Sequence, residues 1–110
     1  MRVEKAAAVS RRNNGMRRAV THANADLPDW SRNAYRFLVR FARRNHEFLA
    51  EDVVAKAAES NCVEAPPEPR AWGAVIRAAA RAGVIRKHGY GLANTSNRSP
   101  KVRWRSRVLQ

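Results

Sequence analysis

A single cysteine, Cys62, leaves the 110-residue chain without an internal disulfide, and nothing in it calls for an oxidising compartment. No apolar run approaches the roughly 20 residues that span a bilayer. The run Ala6 to Val9 gives way to Arg11 and Arg12, and the segment Ala71 to Ile85 is broken by Arg77 and Arg81. A secretory leader and a membrane span are therefore not expected, whereas a soluble, cytoplasmic protein is. His22, His46, His88 and Cys62 are scattered, without the spacing of a metal site. Glu51 and Asp52 are neighbours, so on a helix they diverge by about 100° and do not converge on metal ions as a nuclease requires. Phosphate-loop and dinucleotide glycine patterns are missing, and Gly89-Tyr90-Gly91 reads as a turn. These absences argue against an enzyme and against a metal or other cofactor.

The most informative shortage is of acidic side chains. The chain holds 22 Lys and Arg against 9 Asp and Glu, a formal net charge of +13. A small domain needs a net charge of only about 2 to 8 in magnitude for solubility. A larger excess opposes compaction by self-repulsion, and a polyanionic partner is its usual reason. All nine acids lie at or before Glu68. Residues 1–69 hold 12 basic and 9 acidic residues, net +3, and residues 70–110 hold 10 basic and none acidic, net +10. The basic surface is thus concentrated in the C-terminal part.

Along the chain, residues 1–26 are polar, Arg-rich and Ala-rich. They read either as a mobile basic arm or as a short helix across Arg12 to Ala25, where Met16, Val20 and Ala23 share a helical face and Gly15 weakens it. Residues 27–107 form the expected domain, and 108–110 a tail. Asp26-Leu27-Pro28-Asp29 signals a helix start, with Pro28 or Asp29 in its opening positions. Trp30, Ala34, Phe37, Leu38 and Phe41 then recur as one buried stripe, with Arg32, Arg36, Arg40 and Arg43 opposite. Phe48-Leu49 reads as a short extended piece before a second helix over Ala50 to Ser60, with Glu51 and Asp52 at the positive end of its dipole. Pro66 and Pro67 separate it from a third helix, Pro69 to Ala82, closed by Gly83. Trp72, Val75, Ile76 and Ala79 are its core stripe. Arg70, Arg77 and Arg81 fall within a sector of about 40° on the opposite side, flanked by small residues. Two strands follow, Val84 to His88 and Val102 to Ser106, joined by a long polar loop that starts at Gly89 and includes Asn94 to Pro100.

Helix, helix, proline-containing turn, helix and hairpin is the order of a winged helix-turn-helix domain, mainly α with a small β-hairpin (α+β). A helix with one face for the core and one bearing arginines suits the major groove, where Arg reads guanine edges or grips phosphates. The expected DNA-binding residues are Arg70, Arg77 and Arg81 on that helix and Lys87, His88, Arg98, Lys101, Arg103 and Arg105 on the hairpin. Tyr90 reads either as a turn-packing residue or as a contact to a sugar or base. The expected function is binding of duplex DNA, sequence-specific or not, by a monomer or homodimer. A module that docks on a host protein and one that binds structured RNA are alternatives.

Phe48, Glu51-Asp52-Val53, Pro66-Pro67, Arg70-Ala71-Trp72-Gly73, Gly83-Val84-Ile85, Gly89 and Trp104 together resemble a group of small winged-helix-like proteins encoded in bacteriophages and prophages. The resemblance covers residues 15–105, with Arg70-Ala71-Trp72-Gly73 as its most specific part. It implies a phage or prophage origin and a role inside a bacterial cell, where a DNA-binding protein would act in regulation, replication or recombination. The chain departs from the group at the far end of the hairpin loop, where Asn97-Arg98-Ser99-Pro100 stands in place of a His-Gly pair.

Overall fold

The computed structural model describes residues 15–25, 27, 29–92 and 100–110. Among the described residues, four helices and a small antiparallel sheet make an α+β fold. Residues 15–25 are helical (α1), followed by α2 (Trp30–Arg44), β1 (Glu47–Leu49), α3 (Ala50–Ser60), α4 (Arg70–Arg81), β2 (Ile85–Leu92) and β3 (Pro100–Ser106). The three strands stand in the order β1-β3-β2. The short extended piece at Phe48-Leu49 is therefore a true edge strand, with Phe48 paired to Trp104 across β1 and β3.

The helices pack because their apolar residues recur at the helical period. Trp30, Ala34, Phe37, Leu38 and Ala42 are buried on α2, Val53 and Ala57 on α3, and Ala71, Trp72, Val75, Ile76 and Ala79 on α4. The Trp30 and Trp72 rings meet edge to face at 5.4 Å, joining α2 to α4. Phe41 and Phe48 do the same at 5.0 Å, joining α2 to the sheet. Trp30 also donates its indole N–H to the Glu64 carbonyl at 2.8 Å, which pins the α3–α4 connection to α2. A buried indole needs such a partner.

The helix ends follow from local chemistry. Asp52 accepts the Leu49 N–H at 2.8 Å, satisfying a donor that precedes α3. Helix α4 closes with Gly83 at φ 80. There the Val84 N–H reaches the Ala79 carbonyl at 3.0 Å and the Gly83 N–H reaches Ala80 at 3.2 Å, the paired bonds of a Schellman cap. Asp29, at the start of α2, is itself left-handed (φ 62) and makes no side-chain cap. The Ser31 N–H is capped instead by the Asn24 side chain of α1, at 3.0 Å.

Of the two readings left open for the N-terminal segment, the helix is the one found over the described residues, and the strand and tail bounds differ from expectation. The basic N-terminal segment contributes a packed helix over 15–25, since Ala19 and Ala23 are fully buried in the core and Asn24 caps α2. Strand β2 does not stop at His88 but continues through Gly89, Tyr90 and Gly91 to Leu92. A bulge between Lys87 and Tyr90, with Gly89 at φ 75, absorbs the glycine without ending the strand. The last residues are docked: the Ser106 hydroxyl donates to the Ala42 carbonyl, the Gln110 N–H donates to the Arg43 carbonyl, and Val108 packs on the core.

Candidate nucleic-acid interface

Helix α4 turns Trp72, Val75 and Ile76 inward, all at most 5 % exposed. At 100° per residue Arg70, Arg77 and Arg81 then point directly away from the core. Arg70 and Arg81 are exposed, and Arg77 is half-buried. None of the three has a carboxylate partner among the described residues. Beside them on this helix stand the small residues Gly73, Ala74, Ala78 and Ala80. Met16 of α1 packs against Gly73, where an added methyl would stand 3.0 Å from its Cε. Gly15 lies near the Arg70 guanidinium as well, where an added methyl would stand 3.5 Å from its Nη1, so the start of α1 lies over the Arg70–Gly73 end of this face.

Beside this sector runs a cleft of about 590 Å³ between α4 and the hairpin, lined by Gly73, Ile76 and Arg77 on one wall and by Lys87, Lys101, Val102 and Trp104 on the other. Its floor is apolar and its rim cationic, apart from Glu51 at the end where α3 begins. Lys87 reaches this side because it pairs across from Trp104, whose ring packs on the core. The Lys87 ammonium lies 4.9 Å from the centre of the Tyr90 ring, within cation–π range. Its hydrogen bond, and then its charge, hold the Tyr90 phenol below its ordinary value of 10.0. Tyr90 is 59 % exposed, so the pair presents an aromatic face and a positive charge together.

The opposite face of the sheet gathers the other hairpin residues. Strand alternation puts Arg103 and Arg105 opposite Leu49 and Glu47, on the side away from Phe48 and Trp104. Arg105 donates through Nη2 to Glu47 at 2.6 Å and through Nε at 3.2 Å. His88 lies 3.6 Å from the same carboxylate oxygen. Arg105's hydrogen bond, opposed by partial desolvation and helped by the charges of Arg105, His88 and Arg103, holds the Glu47 carboxyl below its ordinary value of 4.5.

The nine expected residues thus divide. Arg70, Arg77, Arg81, Lys87 and Lys101 border one open face, whereas His88, Arg103 and Arg105 surround Glu47 on the other side of the sheet. Arg98, with loop 93–99, lies outside the described residues, as does the basic segment 1–14. Tyr90, left open between turn packing and a contact to a sugar or base, belongs with the first group, because the bulge returns Lys87 and Tyr90 to one side of the strand.

Among the described residues no His, Cys, Asp and Glu cluster could hold a metal ion, and no helix is long and apolar enough to cross a membrane. Comparison with protein-family models, curated proteins and solved structures gave no match.

Proposed function

We propose that this chain is a winged helix-turn-helix protein that binds duplex DNA, with α4 entering the major groove and the β2–β3 hairpin lying beside it. The observation that carries this reading is the sector of Arg70, Arg77 and Arg81, unpaired and set opposite Trp72, Val75 and Ile76. A helix is about 10–12 Å across with its side chains, and the major groove is about 12 Å wide. Ala74 and Ala78 beside the arginines let the helix backbone come close to the base edges, away from the end where Met16 covers Gly73. Lys87 and Lys101 on the far wall of the cleft are within the same approach and grip phosphates, which fixes register without reading sequence. The sequence of elements, with α2 before β1, α3 and α4 before the hairpin, and strand order β1-β3-β2, agrees with a winged helix. In the phage or prophage setting that the resemblance implies, such a protein would act in regulation, replication or recombination inside a bacterial cell. In this reading the protein acts by occupying DNA, without catalysis.

The test is a salt titration of the full chain against a short DNA duplex, with duplex RNA of the same sequence alongside. Log affinity for DNA should fall linearly with log salt, by about 0.9 for each phosphate neutralised. RNA should bind more weakly, because its major groove is too narrow and deep for side chains to read. Absence of DNA affinity at low salt, or tighter binding to the RNA, contradicts the proposal.

A further inference from the structure

The α4 surface leaves a second block of charge unused. On α2, Arg32, Arg36, Arg40 and Arg43 are all exposed. Arg32 reaches Asp29 at 3.9 Å, but Arg36, Arg40 and Arg43 have no carboxylate partner among the described residues. Counting 100° per residue, these three lie within about 60° of one another, on the side away from Trp30, Phe37 and Leu38. The buried stripes of α2 and α4 meet through Trp30 and Trp72, and the arginines of each helix lie opposite its stripe. The two basic faces therefore diverge, on a molecule whose principal extents are 42 × 33 × 30 Å. A straight duplex is too stiff to follow both, since its persistence length is about 150 bp and sharp bending over one short site costs several kcal/mol.

We infer that the α2 face is a second phosphate-binding surface, so that one chain joins two DNA duplexes. The inference rests on the first duplex being held at α4. Charge complementarity selects the occupant. Arg36 to Arg43 extend over about 10 Å of helix at 1.5 Å per residue. Phosphates on one strand recur at about 3.4 Å along the axis, so the three guanidinium groups span about three phosphate steps. The relief of this face suits backbone contact and not groove reading, because Tyr35 and Val39 stand beside the arginines, half-buried, where α4 has Gly73 and Ala74. Three contacts predict a salt slope of about −2.7 for the second duplex, or about 40-fold weaker binding between about 50 and 200 mM salt.

The experiment immobilises one biotinylated duplex, adds the full-length protein, and measures capture of a second, fluorescent duplex of the same sequence. Mass measurement of the complex in solution gives chains per duplex. The wild type should capture the second duplex at a ratio of two duplexes per chain. The variant Arg36→Ala/Arg40→Ala/Arg43→Ala should retain the first duplex but lose capture of the second by more than about tenfold at low salt. The corresponding triple Arg→Lys variant, which keeps the charge, should restore it. A protein that binds the immobilised duplex yet captures no second one overturns this inference and leaves the α4 proposal standing. Capture that survives the triple Ala change, with two chains per two duplexes, also overturns it, since joining then comes from self-association. No binding of the first duplex sinks both.

Discussion

The α4 face and the α2 face carry similar charge on similar helices, yet they are built for different contacts. Around the α4 arginines the side chains are Gly73, Ala74, Ala78 and Ala80, and a cleft with a cationic rim opens alongside. Around the α2 arginines the neighbours include Tyr35 and Val39, and Cys62 of the α3–α4 connection borders the same hollow. Charge alone makes a surface attractive to a polyanion, but the small residues and the flanking hairpin decide whether a helix can enter a groove. The same contrast separates the two faces of the hairpin: Lys87 and Tyr90 look toward α4, while Arg105 is occupied by Glu47.

The most disruptive way to break this comparison is to remove what holds both faces in place. Trp72→Ala deletes the edge-to-face partner of Trp30 from a site 5 % exposed, and should cost about 3–5 kcal/mol of folding stability, read by chemical denaturation. Binding at both faces should be lost with it. The next largest effect separates them. Arg77→Ala should weaken duplex binding by about 1–3 kcal/mol if Arg77 reads a base, with specificity relaxed at one position of a selected site. Arg36→Ala should weaken binding uniformly across sequences and flatten the salt slope by about 1. Equal effects of the two substitutions would erase the distinction drawn between the helices.

Smaller effects test the supporting structure. The Glu47 carboxyl is held below its ordinary value of 4.5 in the folded protein. Its contribution is therefore complete above about that pH and lost as the pH falls through the lowered folded value. Thermal unfolding of the wild type and Glu47→Gln should differ most near neutral pH and converge under acid. A gap that persists to pH about 3 would mean that the Arg105 pair is not its source. The least change is expected from Gly73→Ala. Helix propensity favours Ala by about 0.8–1.0 kcal/mol, partly offset by crowding from Met16, whose Cε would stand 3.0 Å from the new methyl. The substitution should stabilise slightly, whereas Gly83→Ala, at φ 80, should destabilise by about 1–2 kcal/mol.

Much of the helical framework was legible because the signal is periodic. The stripes through Trp30, Phe37 and Leu38, and through Trp72, Val75 and Ile76, need only the spacing of large apolar residues. Gly83 marks its cap unambiguously, since its left-handed backbone suits glycine. Helix α1 was harder to place because it docks through Ala19 and Ala23, whose small side chains give little hydrophobic contrast in an alanine-rich segment. The course of β2 through Gly89 and Gly91 was hidden for a different reason: a bulge and a turn call for the same residue. The division of the candidate site was not legible at all. It depends on Glu47 meeting Arg105 across 58 residues of sequence, and on a bulge that resets which hairpin side chains face α4. Composition could show where positive charge accumulates, but only the strand register shows which charges remain available.

The central claim, that the open arginine sector of α4 holds duplex DNA, is tested most directly by equilibrium binding of one short duplex over a range of salt. The wild type and the variant Arg70→Ala/Arg77→Ala/Arg81→Ala should be compared at a duplex concentration too low to fill the α2 face. We expect much weaker binding by the variant and a slope shallower by up to about 2.7, three phosphate contacts at about 0.9 each. A variant that binds as tightly as the wild type, with the same slope, would contradict the claim and move the DNA off this helix.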